Sequence, residues 1–339
     1  MNTTTLPAAT PAAIPKASFD WRPVWLLLAL MVAAVPAIGS GSTWVTLTAA
    51  GLAMGFIIFV IASGLTLVFG LMDVLNFGHG VFIALGAFVA TSVMVGLSGW
   101  WNSAGWLGLA AVFCAMLAAM AVAGAVGYAF ERLIVRPVYG LHLKQILITM
   151  GGMIVGEEMI KVLWGPQQVA LPLPELMRGS IVIGDASIEK YRLLAMAIGA
   201  LVFALLVWTL NRTKLGLLIR AGVQDREMVE SLGYRIRNLF VGVFVAGSAL
   251  AGLGGVLWGL YQQSVTPQIG AQVNVLIFIV IIIGGLGSTL GCFIGALLVG
   301  LMANYAGFLA PKVALFSNIG LMVAILLWRP QGLYPVTNR

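Results

Sequence analysis

An all-α polytopic membrane fold of about eight to ten transmembrane helices, with a weak internal repeat and glycine-broken helices, follows from three observations. The 339 residues are 61% hydrophobic and only 9% charged, and a mean hydropathy of +1.05 lies far above that of water-soluble domains. Apolar runs of about 20 residues, the length that crosses a ~30 Å hydrocarbon layer, recur from Val24 to Trp328 with short polar breaks between them. Glycine is abundant, at 42 residues, and clusters at the edges of these runs, where small side chains allow close helix packing and local breaks.

In chain order, residues 1–23 are rich in Thr, Ala and Pro without apolar period and read as a flexible tail. Residues 24–43 follow as an extra N-terminal membrane segment. Its basic flank (Lys16, Arg22) and small residues Ala37 and Gly39 also suit a signal peptide, and an uncleaved helix accounts for them equally well. Further spans are expected near Trp44–Phe69, Val81–Leu97, Trp106–Phe130, Gln145–Val162, Tyr191–Leu210, Leu239–Tyr261, Val273–Ile283, Cys292–Leu309 and Val313–Trp328. With the amino terminus inside, only Lys161, Arg178, Lys190, Arg192 and Lys312 of the 18 basic residues fall outside, as the positive-inside rule requires. Trp44, Trp100, Trp101, Trp106, Trp164 and Trp328 mark span ends, where indole rings sit at the headgroup level.

Two loops interrupt the spans. The external loop, 163–190, is Pro-rich and carries a β-like run "SIVIG" suited to a hairpin. The internal loop, 212–238, spaces Leu217, Leu218, Ala221, Met228, Val229 and Leu232 at near-helical intervals among charges, and Gly233 reads as a helix stop. Short amphipathic helices at the cytoplasmic surface are expected there, against either anionic lipid or a soluble partner. The stretches "NFGHGVFIALGA" and "GLGSTLGCFIGA" both pass from a glycine-rich break into an apolar helix. They suggest the weak internal repeat and put Gly284, Gly285 and Gly287 beside Gly78 and Gly80 as candidate hinges or path residues.

The chemistry is sparse. No opposed carboxylates, serine elbow, HExxH or GxxxxGK[ST] loop is present, so the chain does not read as an enzyme or a nucleotide binder. His79 and His142 are the only histidines, and Cys114 and Cys292 lie apart in apolar runs as buried hydrophobes, so no metal site, disulfide or cofactor is expected. The charge of +7 belongs to cytoplasmic loops and does not imply nucleic acid. Asp73, Asn76 and His79 are spaced i, i+3, i+6 and would share one face of a helix, as a polar constriction or as caps of the helix from Val81. Glu157 and Glu158 stand near the outer end of their span with Lys161 in pairing position, as a surface pair or as path-lining groups.

The segment "GLTLVFGLMDVLNFGHGVFIALGAFVA" (64–90), the stretch "LGLLIRAGVQDREMVESLGYRIRNLFVGVFVAGSALAGLGGVL" (215–257) and the terminal "WRPQGL" resemble, in this order, the branched-chain amino acid ABC transporter permeases of the LivH type. The resemblance covers roughly 47–333 and leaves the first 43 residues as an extension. It implies that 44–333 is the permease domain of an ATP-driven importer in a bacterial inner membrane, forming half of a path for branched-chain or other amino acids, amides, urea or aromatic acids. Implied partners are a LivM-type second permease, two ATPase subunits that bind ATP and Mg, a periplasmic substrate-binding protein and membrane lipid. By position, Arg220, Ala221, Asp225, Met228 and Gly233 would form the ATPase-docking loop. A stand-alone secondary carrier or channel is the alternative, and the scarcity of central charges counts against it.

Overall fold

The computed structural model describes residues 20–101, 105–224 and 226–335. They form α1 (Arg22–Ile38), α2 (Gly41–Met72), α3 (His79–Gly96), α4 (Ser98–Trp101), α5 (Trp106–Phe130), α6 (His142–Trp164), α7 (Lys190–Arg212), α8 (Lys214–Gln224), α9 (Arg226–Ser231), α10 (Ile236–Gln262), α11 (Ile269–Gly284), α12 (Thr289–Leu309) and α13 (Ala314–Trp328). Strand β1 (Val169–Ala170) pairs with β4 (Ser264–Val265), and β2 (Ser180–Ile183) with β3 (Ala186–Glu189), both antiparallel. The fold is an all-α polytopic membrane protein. Helices α2, α3, α5, α7, α10 and α12 are long and apolar enough to cross a membrane, and α1, α11 and α13 are shorter apolar helices. Helix α6 has 23 residues but carries Lys144, Glu157, Glu158 and Lys161.

Helix α2 is the axis of the bundle. Its 32 residues rise about 48 Å, and from Thr48 to Phe69 it is almost wholly buried between α10 and α12. Glycine permits that approach: a Cβ on Gly55 would lie 2.8 Å from Leu297 Cα, and one on Gly300 2.4 Å from Gly51 O. Around α2 the aromatic side chains of three helices interlock, with Phe59 edge-on to Phe293 at 5.2 Å and Phe203 stacked on Phe293 at 4.1 Å. Helices α5, α6 and α13 instead expose leucine, valine and phenylalanine along their outer faces, Val162 and Leu327 among them. Hydrocarbon solvates such surface; water would not.

Differences from the sequence expectations are local. Residues 1–19 of the tail lie outside the described residues, and α1 starts at Arg22 with Pro23 in its first turn, where a missing N–H costs nothing. Helix α1 then packs Ala34 on Leu301 and Tyr305, and Trp44 Nε1 donates to Met31 O at 3.0 Å. Cys114 is exposed on α5 rather than buried, because it faces away from α10; Cys292 is buried. The external hairpin forms in the 180–189 run and is rooted on α2 by Ser187 N donating to Thr46 Oγ1 at 3.3 Å.

Candidate functional site

Helix α2 ends at Met72, and Asp73 takes a left-handed conformation, φ +54°, that turns the chain back. Residues 73–78 are not helical, and they climb back along α2. His79, the first residue of α3, is buried, with Nε2 3.0 Å from Ile61 O. A carbonyl only accepts, so Nε2 carries the proton. Ile61 lies about 17 Å from the end of α2 at 1.5 Å per residue. Helix α3 therefore begins deep inside the bundle, after a non-helical segment tolerated there only because protein surrounds it.

The polar groups of this inner break are supplied from two other helices. Phe77 N donates to Thr149 Oγ1 of α6 at 3.1 Å, and Phe77 O accepts from Asn274 Nδ2 of α11 at 3.0 Å. Thr149 Oγ1 in turn donates to Gln145 O at 2.6 Å, and the Phe77 ring stacks on Phe278 at 4.5 Å. Among the described residues, both amide atoms of buried Asn76, both of buried Gln145, and Asn274 Oδ1 have no hydrogen-bond partner. Each such orphan costs about 1–3 kcal/mol, and together they form a polar seam beside an otherwise apolar core.

A second break opens from the opposite end. Helix α10 stops at Gln262, and Gln263 is left-handed at φ +54°, the same value as Asp73. Asp73 and Gln263 are the two non-glycine residues of positive φ among the described residues. Strand β4 follows, held by β1 of the external loop and by Leu171 N donating to Gln263 O at 3.0 Å. The chain then descends from the level of Ala87, near Gly259 and Val265, to that of Gly80, where α11 begins. Gly80 stands seven positions after Asp73, and Gly270 seven positions after Gln263. The two glycines meet: a Cβ on Gly270 would lie 2.1 Å from Gly80 O, and one on Gly80 2.8 Å from Gly270 O.

Two re-entrant segments entering from opposite ends thus start two helices that cross at Gly80 and Gly270. A cavity of about 10 Å³ sits at the crossing, lined by Gly80, Val81, Met153, Glu157, Pro267 and Gly270 among others. It holds about one water, so the crossing is closed. Glu157 borders it while pairing with Lys161 at 3.1 Å, and Lys161 also holds Glu158 at 2.8 Å. Opposed broken helices meeting inside the membrane are the architecture of solute transporters.

Comparison with known proteins bears this out. Residues 47–327 match the family described as "Branched-chain amino acid transport system / permease component". The chain belongs to this permease family. The permease is 31% identical over 293 residues to the high-affinity branched-chain amino acid transport system permease protein BraD of Pseudomonas aeruginosa, covering 84% of this chain and 93% of that protein. It is 29% identical over 290 residues to the corresponding LivH of Escherichia coli (84% and 92%) and 28% identical over 296 residues to LivM of the same organism (82% and 68%). The likeness is of the LivH type, since it spans nearly the whole of LivH and BraD.

Several expected placements change in the permease structure. Asp73, Asn76 and His79 do not share a helical face, because the chain between them is not helical. Asp73 is half-exposed, with Oδ2 3.7 Å from His142 Nε2, whereas Asn76 and His79 are buried. Nor does Asn76 cap α3: the N-cap position is Gly78, with no side-chain cap, and its own amide is unpartnered. The glycine-rich stretches paired in the sequence as a repeat are placed differently: Gly287 packs against Gly70 near the Met72 end of α2, 2.8 Å from a built Cβ, whereas Gly78 and Gly80 lie deep in the bundle. The geometric counterpart of the 73–80 break is 263–270, which shares little side-chain chemistry with it.

Gly284, Gly285 and Gly287 form a separate turn between α11 and α12, with Gly285 at φ +96° and Gly287 at φ +82°. The C-terminal motif closes it: Leu333 N donates to Ile283 O at 2.8 Å and Tyr334 N to Gly284 O at 3.0 Å, satisfying carbonyls that the end of α11 leaves open. In the 212–238 loop, Arg220 is exposed with Nε donating to Gly216 O at 3.3 Å, Ala221 is half-buried, Met228 is exposed, and Gly233 follows α9 at φ +85°. Asp225 lies outside the described residues. Ile219 of α8 is buried against Leu67 of α2 and Val243 of α10. Thr149, Gln145, Gln263, Gly270 and Asn274 were missed in the sequence. The available signal was an isolated polar residue within an apolar run, such as Asn274 in "VNVLIFIV".

Proposed function

We propose that this permease is one of two membrane subunits of an ATP-driven importer in a bacterial inner membrane, carrying branched-chain amino acids or a related small polar solute. The observation that carries the reading is the closed crossing of α3 and α11 at Gly80 and Gly270, flanked by the unpartnered amides of Asn76, Gln145 and Asn274. A polar solute passing there would satisfy groups that the closed state leaves orphaned. The names of the relatives supply the solute class and, through LivH and LivM, the second permease. ATP and Mg would be bound by two partner ATPases seated on the 212–238 loop, and a periplasmic protein would deliver solute to the 163–190 loop.

The elements are joined in a way that suits such work. Force on α8 reaches the inner end of α2 through Ile219 and Leu67, and α2 ends in the left-handed hinge at Asp73. On the other side, the external loop is hydrogen-bonded through β1 to the Gln263 hinge. Movement at either surface would therefore tilt α3 or α11 about the glycine crossing. The test is co-purification and reconstituted uptake with the neighbouring ATPase, second permease and binding protein. Gly233→Pro, which cannot adopt φ +85°, should reduce ATPase co-purification by more than about tenfold with helical content unchanged. Normal complex formation in that variant removes the docking assignment, and failure of the assembled system to import any amino acid removes the importer reading.

A further inference from the structure

A second cavity lies away from the helix crossing. It measures about 430 Å³ and is lined by Arg132, Glu230, Gly233, Tyr234, Arg235, Ile236, Arg237 and Asn238, within the ~300–1,000 Å³ range of small-ligand sites. Arg132 lies in the single π-helical turn, Glu131–Val135, that follows α5; Arg237 lies in the first turn of α10, and Glu230 and Gly233 belong to the docking loop. The cavity thus joins parts of the chain about a hundred residues apart in sequence.

Its electrostatics are unbalanced. Three arginines and one glutamate line it, and among the described residues no salt bridge of Arg132, Arg235 or Arg237 is found. Arg132 is held over the Tyr128 ring at 4.7 Å, which orients its planar fork. Gathering like charges around a concavity opposes folding unless an anion occupies it, and forked donors match phosphate oxygens. Position identifies the source of that phosphate. The cavity sits where α5 ends and α10 begins at the cytoplasmic membrane face, and Leu133, adjoining Arg132, is 75% exposed, an apolar flank that suits an acyl chain and has no use for a soluble anion.

We propose that this cavity binds the phosphate headgroup of an anionic phospholipid from the cytoplasmic leaflet, clasped by Arg132, Arg235 and Arg237. The bound lipid ties the end of the docking loop to the π-helical turn after α5. The site does not rest on the importer reading; it rests on this chain's cavity and charges and on the cytoplasmic placement of the 212–238 loop that the distribution of arginine and lysine implies.

Native mass spectrometry of the full-length chain released from nanodiscs of phosphatidylglycerol and phosphatidylcholine tests it. The wild type should retain phosphatidylglycerol preferentially. R132Q/R237Q should lose that preference by about tenfold or more, while Arg136→Gln, outside the cavity lining, should keep it. Millimolar inorganic phosphate should not displace the lipid. Should the paired variant fail to fold, arginine labelling of the wild type by phenylglyoxal serves instead, with phosphatidylglycerol protecting Arg132, Arg235 and Arg237 and leaving Arg136 reactive. Unchanged retention in R132Q/R237Q, equal loss in Arg136→Gln, displacement by inorganic phosphate, or uniform labelling each overturns the assignment.

Discussion

The inner break, 73–80, and the outer break, 263–270, share a backbone plan and are held by different means. Each begins at a left-handed residue of φ +54° and reaches the crossing glycine seven residues later. The inner break is fastened by side chains: Thr149 and Asn274 hold the amide and carbonyl of Phe77, and His79 reaches Ile61 O. The outer break is fastened by main chain, through the β1–β4 ladder and the Leu171–Gln263 bond. Deep in the bundle no strand is at hand to pair with, so isolated polar side chains must serve. At the surface the external loop supplies a strand. The inner break should accordingly be vulnerable to single side-chain changes and the outer one to constraints on the backbone.

Four changes would break or sharpen that contrast, the largest first. Gly80→Val strikes what the two breaks have in common: it places side-chain atoms within the backbone of Gly270, and we expect more than about 3 kcal/mol of destabilisation with loss of uptake. A thermal melt matching wild type would mean that the helices do not meet there. Next, a Val169→Cys/Val265→Cys pair, at facing positions of the β1–β4 ladder, should form a disulfide in a background lacking Cys114 and Cys292. Uptake should stop on oxidation and recover on reduction; unimpeded uptake by the oxidised protein would make the outer ladder a passive support.

Third in size, Thr149→Val and Asn274→Leu each strand one polar group of Phe77 and should cost about 1–3 kcal/mol in chemical denaturation. A double-mutant cycle should detect coupling between them, whereas Val169→Ala at the outer break should cost less than either. Equal effects at the two breaks would erase the distinction drawn between them. The smallest change concerns a contact outside both: Arg329 Nη2 lies 2.6 Å from Asp20 Oδ2, joining the chain before α1 to the C-terminal motif. The Arg22 N–H and the Arg329 guanidinium hold the Asp20 carboxyl below its usual range. A depressed carboxylate stabilises above its unfolded value and loses that contribution as pH falls through its folded value. Wild type should therefore lose stability below about pH 4 more steeply than Asp20→Asn, and parallel pH profiles would exclude the contact as a contributor.

Much of the molecule was legible in one dimension. The apolar helices and the two loops between them follow from hydropathy and composition, because a bilayer demands long apolar helices. Helix α5 begins at Trp106 and ends at Phe130, the limits that hydropathy alone suggests. The 212–238 loop likewise announced its short helices through apolar spacing. The polar interruption at Asn76 to Gly80 was visible as well, but its conformation was not: an i, i+3, i+6 spacing reads as a helix, and only the left-handed turn at Asp73 sends those residues to different depths.

Pairing of distant segments was beyond the sequence. Similar letters linked 76–87 to 285–296, yet the structure relates 73–80 to 263–270, whose letters differ, since what they share is a left-handed start and a glycine at one crossing. The same holds for Thr149 and Asn274, unremarkable in their own helices until each meets Phe77, and for Arg132, which joins Arg235 and Arg237 across about a hundred residues. The sequence by itself determined the solvent of this protein, its helices and its family, because those depend on local composition and period. Tertiary structure alone decided where the helices break and cross, because a buried hydrogen bond or a backbone contact is a property of two segments, and neither segment carries it alone.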